Sequence, residues 1–221
     1  MEQYIINEND KEKSIILYIP NILNQKIYSN IKSELENITD WKVGKTFEGK
    51  KINRKQKWYQ INNQPFCKNW SKQYDRWKSN KYTNNLLKFQ NHIQLKINQI
   101  LSDYNPKNIQ HPIYDSLLIN YYENGHDHIT PHQDNKQSFG KYPTISVVSI
   151  GEKRKFILER TIKDLLKRNK NEKNLNKEFI LEDNSLLIMA GSVQRYFCHY
   201  IPKEENKINC RYSLTFRQYL N

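Results

Sequence analysis

The chain has 221 residues and carries 36 Lys+Arg against 23 Asp+Glu, a formal charge of +13. That length suits one full domain over 1–221, and a charge surplus of this size favours a polyanion, nucleic acid before an anionic membrane. A mean hydropathy of -0.93 would suit disorder, yet 12 % aromatic residues and recurrent Ile/Leu runs can build a core, while six glycines and seven prolines exclude collagen-like or low-complexity chains.

No stretch approaches the ~18 apolar residues of a membrane span, and no basic-then-apolar leader opens the chain. No membrane partner is expected, and an intracellular setting, nucleus or cytoplasm, is. Cys67, Cys198 and Cys210 are odd in number, far apart and without a C-x-x-C pair, so reduced thiols are expected rather than disulfides or structural zinc.

Residues 1–13 are polar and read as frayed. Ser14–Ile19 is β-branched, stops at Pro20 and predicts a strand. Asn24 can cap a helix carrying Ile27, Ile31, Leu35 and Ile38 at helical spacing. From Trp41 to Tyr82, Lys and Arg alternate with aromatics and no apolar period holds. Thr83 can cap a second helix with Leu86, Ile93, Ile97, Ile100 and Leu101 on one side, ending at Asn105-Pro106.

The remainder predicts short strands at Ile113–Tyr122, Pro143–Ile150, Lys155–Leu158, Ser185–Met189, Tyr196–Ile201 and Arg211–Phe216. The Lys/Asn-rich stretch Thr161–Glu178 reads as an exposed insertion with one helical turn. Helices feeding a run of strands indicate an α+β domain whose sheets curl into a barrel or sandwich.

The densest chemistry lies in Asn120–Asp134. His132-Gln133-Asp134 sets an imidazole and a carboxylate two residues apart, on one face of an extended backbone. One more imidazole, available in His199, would give two histidines and a carboxylate, a set that suits a divalent first-row metal and leaves three octahedral positions open. Taken separately, the tripeptide also fits a surface loop and His199 a half-buried strand histidine. In Arg211–Arg217, alternation puts Arg211, Ser213, Thr215 and Arg217 on one face, an anion receptor with planar guanidiniums. Asn120 and Tyr122 share a face of their own strand and can add neutral donors.

The order Asn-x-Tyr, His-x-Asp, His, Arg-x-x-x-Thr-x-Arg resembles the AlkB family of iron- and 2-oxoglutarate-dependent dioxygenases, most of all its animal-type DNA repair members. Gly125-His-Asp-His-Ile129 and Ser213-Leu-Thr-Phe-Arg217 carry that likeness. The resemblance implies a double-stranded β-helix (jelly roll) core over about 105–221, with N-terminal helices and a nucleotide-recognition lid over about 1–104. It implies Fe(II) on His132, Asp134 and His199, and 2-oxoglutarate on Asn120, Tyr122, Arg211, Thr215 and Arg217, with O2 as the second co-substrate. Oxidative demethylation of N-alkylated DNA bases by a monomer follows as the expected function. Alternatives are the same chemistry on RNA or protein side chains, and a non-catalytic basic nucleic-acid-binding module.

For the lid, the resemblance implies Phe47, Gly49, Lys50, Arg54, Gln56 and Tyr59 as substrate contacts. Lys42, Lys45, Lys51, Lys55 and Lys57 could meet phosphates, and Trp58 could stack on bases. Asn135 stands where relatives follow the metal aspartate with an acidic residue, so it also faces substrate in this reading. His128 is expected to support the metal set by hydrogen bonding.

Overall fold

Asn24 and Thr83 start the helices that their sequence positions predict. The Asn24 side chain accepts from the Ile27 N–H and opens α1 (Gln25–Glu36). Thr83 accepts from the Leu86 N–H and opens α3 (Asn84–Asp103), after a short α2 (Lys68–Ser71). The Thr83 hydroxyl also donates to Glu34 of α1 at 2.6 Å, which ties the two long helices together. This computed structural model describes all residues except 1, 8, 10, 46–48, 50, 72–74, 104–108, 110, 162–175, 207 and 221.

The strands of the first part are β1 (Glu2–Asn7), β2 (Lys13–Ile19), β3 (Lys42–Lys45), β4 (Lys51–Gln60), β5 (Ser116–Tyr122) and β6 (Ile129–His132). They continue as β7 (Ile145–Gly151), β8 (Arg154–Arg160), β9 (Lys177–Leu181), β10 (Ser185–Gly191), β11 (Phe197–Ile201) and β12 (Arg211–Arg217). Eight form a sheet of order β1-β2-β10-β7-β12-β5-β4-β3, and four form a second of order β6-β11-β8-β9. Every pairing between these strands is antiparallel.

The large sheet has a different partner on each face. On one, Ile31 and Leu35 of α1 and Leu86, Ile93 and Ile97 of α3 pack on Leu117, Ile119, Leu214 and Phe216. On the other, Val147, Leu187 and Met189 meet Phe156, Leu158, Phe179 and Phe197 of the small sheet. Two sheets face to face with helices outside form the jelly roll expected. Among the described residues no helix is long and apolar enough to cross a membrane.

Three expectations are corrected. Residues 2–7 are not frayed: β1 pairs with β2 from Glu2 opposite Tyr18 to Asn7 opposite Lys13, and Tyr4 packs edge-on against Phe179 at 5.3 Å. The Trp41–Tyr82 segment holds the β3–β4 hairpin, whose second strand joins β5. β4 is exposed or half-buried in its first half and buried on both faces in its second, so neither half shows a period. The end of the Lys/Asn-rich stretch, Lys177 and Glu178, belongs to β9, whereas its expected helical turn lies outside the described residues. Pro131 sits on β6, an edge strand, where a missing N–H is tolerated.

Candidate active site

Neighbouring strands of the large sheet present their polar residues in register. Gln56 of β4 stands opposite Asn120 of β5, Asn120 opposite Ser213 of β12, and Ser213 opposite Ser149 of β7. Arg211 pairs with Tyr122 one row away. Gln56, Asn120, Tyr122, Arg211 and Ser213 of these rows form one wall of a cavity of about 540 Å³, and His132, Asp134 and His199 line the same cavity from the small sheet side. All eight residues predicted for metal and 2-oxoglutarate therefore meet in one space.

His132 and His199 are directly paired across β6 and β11, their ring centroids 4.3 Å apart. His132 Nδ1 bonds the Thr130 carbonyl at 2.9 Å, leaving Nε2 for the cavity. Asp134 Oδ2 is 4.0 Å from His199 Nε2, and its backbone N–H donates to Gln194 at 2.9 Å. Arg217 Nη2 donates to Asp134 Oδ1 at 2.7 Å. Asp134 Oδ2 and His199 Nδ1 are buried without a hydrogen-bond partner among the described residues, a costly state that a ligand would relieve.

Electrostatics prepare the three as donors. Burial pushes the His199 imidazolium down to about 3, the neighbouring His132 adding to it; burial likewise lowers His132. Burial alone would raise the Asp134 carboxyl, but Arg217 and the two imidazoles more than reverse this and hold it below the usual carboxylate range. Two neutral imidazoles and one carboxylate are the donor set a hard-to-borderline divalent ion takes. They converge without closing: among the described residues no three His, Cys, Asp or Glu side chains form a ready ligand cage. The donor chemistry and the unpartnered Asp134 Oδ2, which faces His199 Nε2, fit iron.

At the opposite wall Arg211 is buried, and its Nη2 donates to Ser149 Oγ at 2.9 Å. Its Nε and Nη1 have no partner among the described residues, which leaves two donor nitrogens for an anion. Burial lowers this guanidinium to about 10, so it stays cationic at neutral pH. Ser213 and Thr215 line the cavity beside it. Asn120 Oδ1 accepts from Arg54 Nε and Gln56 Nε2, each at 3.0 Å, so its amide nitrogen remains to donate.

The predicted substrate contacts divide. Arg54 and Gln56 line the cavity, and both also anchor Asn120. Asn135 lines it too, but its carbonyl oxygen caps α4 (Lys136–Phe139) by accepting from Gln137 and Ser138. Gly49 lies in the hairpin turn at φ 79°, away from the cavity lining. Phe47 and Lys50 lie outside the described residues.

Tyr59 is a correction: strand alternation sends it to the helix face, where it is buried against Tyr82. Trp58 is fully buried among Phe66, Phe139 and Tyr219 and offers no free face to a base. Lys57 is buried on Asp40 at 2.5 Å and Lys55 pairs with Glu123 at 3.1 Å, so neither is a loose phosphate contact. His128 lines the cavity, but its Nδ1 bonds the His126 carbonyl instead of a candidate ligand.

Sequence reasoning missed Phe66 and Trp77, which stack at 4.3 Å and line the cavity. They come from a loop and a 3₁₀ turn, Asp75–Trp77, so no periodicity marks them.

The chain matches the 2OG-Fe(II) oxygenase superfamily over residues 16–217. It is 32% identical over 119 residues to the DNA oxidative demethylase ALKBH2 of Arabidopsis thaliana, covering 47% of this chain and 37% of that protein. It is 33% identical over 110 residues to the alpha-ketoglutarate-dependent dioxygenase alkB homolog 3 of Homo sapiens, covering 47% of this chain and 36% of that one. The matched stretch thus spans little more than a third of either relative. Among solved structures, OsALKBH1 superposes with a TM-score of 0.63 at 17% identity, over 92% of this chain and 97% of that one. That likeness is one of fold.

Proposed function

The chain belongs to the 2OG-Fe(II) oxygenase superfamily, and from that premise we propose that it is an AlkB-type dioxygenase that oxidatively removes N-alkyl groups from bases in DNA. The observation that carries this reading is one cavity shared by His132, Asp134 and His199 on one side and the half-free Arg211 guanidinium on the other. The two relatives, a DNA oxidative demethylase and an alpha-ketoglutarate-dependent dioxygenase, favour this chemistry on DNA.

His132, Asp134 and His199 are the residues that would hold Fe(II). Iron held there would supply the oxidation, in which 2-oxoglutarate and O2 would give succinate and carbon dioxide and the alkyl carbon would leave the base as an aldehyde. Arg211 receives one carboxylate of the co-substrate through the N–H donors that its bond to Ser149 leaves unpaired. Asn120, Tyr122, Thr215 and Arg217 complete that cradle. Leu118, Val147, Phe156, Met189 and Ile201 add an apolar part to the lining. A base paired in a duplex cannot reach such a depth, so the target is single-stranded or flipped out. Phe66 and Trp77 line the cavity that receives it, and Lys51, a lining residue that is exposed, can meet a phosphate.

The test measures succinate and aldehyde with N-methylated single-stranded DNA, the same lesion in duplex DNA, and the same lesion in RNA. His132→Ala and Asp134→Ala each abolish both products, and DNA is repaired faster than RNA. Succinate release at the wild-type rate in either variant refutes the ligand assignment, and repair confined to RNA moves the substrate from DNA to RNA.

A further inference from the structure

Arg154, the first residue of β8, is a fully buried cation without a carboxylate partner among the described residues. Its guanidinium donates instead to four backbone carbonyls: Asn124 and Gly125 at 3.4 Å, Asp127 at 2.9 Å and Pro202 at 2.5 Å. Its carbon also lies 5.6 Å from the Tyr122 ring centroid, and that of Arg211 lies 5.3 Å from the same centroid. Arg154 is absent from the cavity lining, whereas Tyr122 and Arg211 belong to it.

A buried guanidinium is expensive unless its donors are used; in Arg154 both Nη atoms are bonded, and Nε lacks a partner among the described residues. Here the fork pins the turn that leads into β6 to the loop that leaves β11, the two strands carrying His132 and His199. The same turn and loop are closed by the Glu204 N–H donating to the Gly125 carbonyl at 2.9 Å. At Gly125 a Cβ would stand 2.4 Å from the Glu204 carbonyl oxygen, so the approach leaves no slack. Tyr122, between two cations, has its ring face fixed by attraction to both.

We propose that Arg154 is a positioning residue for co-substrate capture: it acts through Tyr122, holding that ring against Arg211 so that the phenol and the guanidinium meet the same carboxylate. The inference rests on the proposed use of 2-oxoglutarate. It predicts a loss in co-substrate binding that leaves metal binding alone.

The test uses the full chain loaded with Mn(II), which binds without turnover, titrated calorimetrically with 2-oxoglutarate. Arg154→Met weakens 2-oxoglutarate about 10-fold while the Mn(II) affinity stays within about twofold. Arg154→Lys, which keeps a cation over the ring but has no fork, loses about threefold. In a Tyr122→Leu background each Arg154 substitution adds less than about twofold, as residues acting through one another must. Unchanged 2-oxoglutarate affinity in Arg154→Met overturns the proposal, as does a loss that persists in full in the Tyr122→Leu background. Should Arg154→Met fail to fold, Arg154→Lys decides by the same two criteria. Wild-type protein that takes up Mn(II) but no 2-oxoglutarate refutes the proposed function, and this inference with it.

Discussion

Arg217→Met leaves the Asp134 carboxylate buried without its guanidinium. The pair is 2.7 Å long and both side chains are 4% exposed, and Arg217 is packed between Phe139 at 5.0 Å and Phe66 at 5.8 Å. Breaking such a pair from one side costs roughly 3–5 kcal/mol, because the remaining charge keeps its desolvation penalty. In a chain of this size each kcal/mol moves the midpoint by about 2–4 °C, so the melting temperature falls by roughly 6–20 °C. Removing both charges in Asp134→Leu/Arg217→Met leaves no orphan, and most of that loss returns. Metal binding does not return, since Asp134 is gone. Urea unfolding of the chelator-treated protein at pH 7 gives the stabilities, and Mn(II) titration gives the binding. The sign with pH is fixed: the folded Asp134 pKa is depressed, so the pair's contribution is present above the ordinary carboxylate value and is lost as pH falls through the folded one. A single variant within about 1 kcal/mol of wild type, or a double variant less stable than both singles, would show that the ion pair does not govern this wall.

Arg211→Lys keeps a charge but not the fork, and losing one charge-assisted hydrogen bond of about 1.5–3 kcal/mol raises the KM for 2-oxoglutarate roughly 10- to 100-fold, with kcat changed less; a KM within threefold of wild type removes Arg211 from the cradle. Glu12 accepts from Tyr142 at 2.5 Å and from Tyr196 and Arg195, joining the β1–β2 turn to the turn before β11. Burial would raise its carboxyl, but these hydrogen bonds and the Arg195 charge bring it down to about 2. Glu12→Gln therefore costs about 1 kcal/mol at pH 7, and denaturant melts at descending pH show the gap to wild type closing as the pH falls toward 2; a gap constant with pH contradicts the assignment.

What could be read from the sequence was what one element decides by itself. β12 alternates because it is central, with helices on one face and the cavity on the other, so Tyr212, Leu214 and Phe216 separate cleanly from Arg211, Ser213, Thr215 and Arg217. β4 has no such contrast. Its first half is exposed or half-buried at the cavity and its second half is buried on both sides, so Trp58 and Tyr59, both core residues, looked like base-stacking candidates. β1 has only Tyr4, Ile5 and Ile6 as apolar residues and forms because β2 offers it an edge. Phe66 and Trp77 reach the cavity through loop geometry that no local pattern encodes.

The site then depends on register more than on any one residue. Because Gln56, Asn120, Ser213 and Ser149 stand in one cross-strand row, a slip of one position in β5 or β12 would turn Tyr121 or Tyr212 into the cavity and send the polar set to the helices. The opposite face opposes that slip. Tyr121 and Tyr212 stack at 4.9 Å, and Trp41 covers Tyr121 at 5.3 Å; a slip would break these contacts, each worth about 0.5–1.5 kcal/mol beyond burial. It would also place Arg211 and Arg217 among Leu86, Ile93 and Ile97, where a guanidinium finds no partner. The aromatic stack that touches no candidate ligand is thus part of what keeps the candidate ligands facing one another.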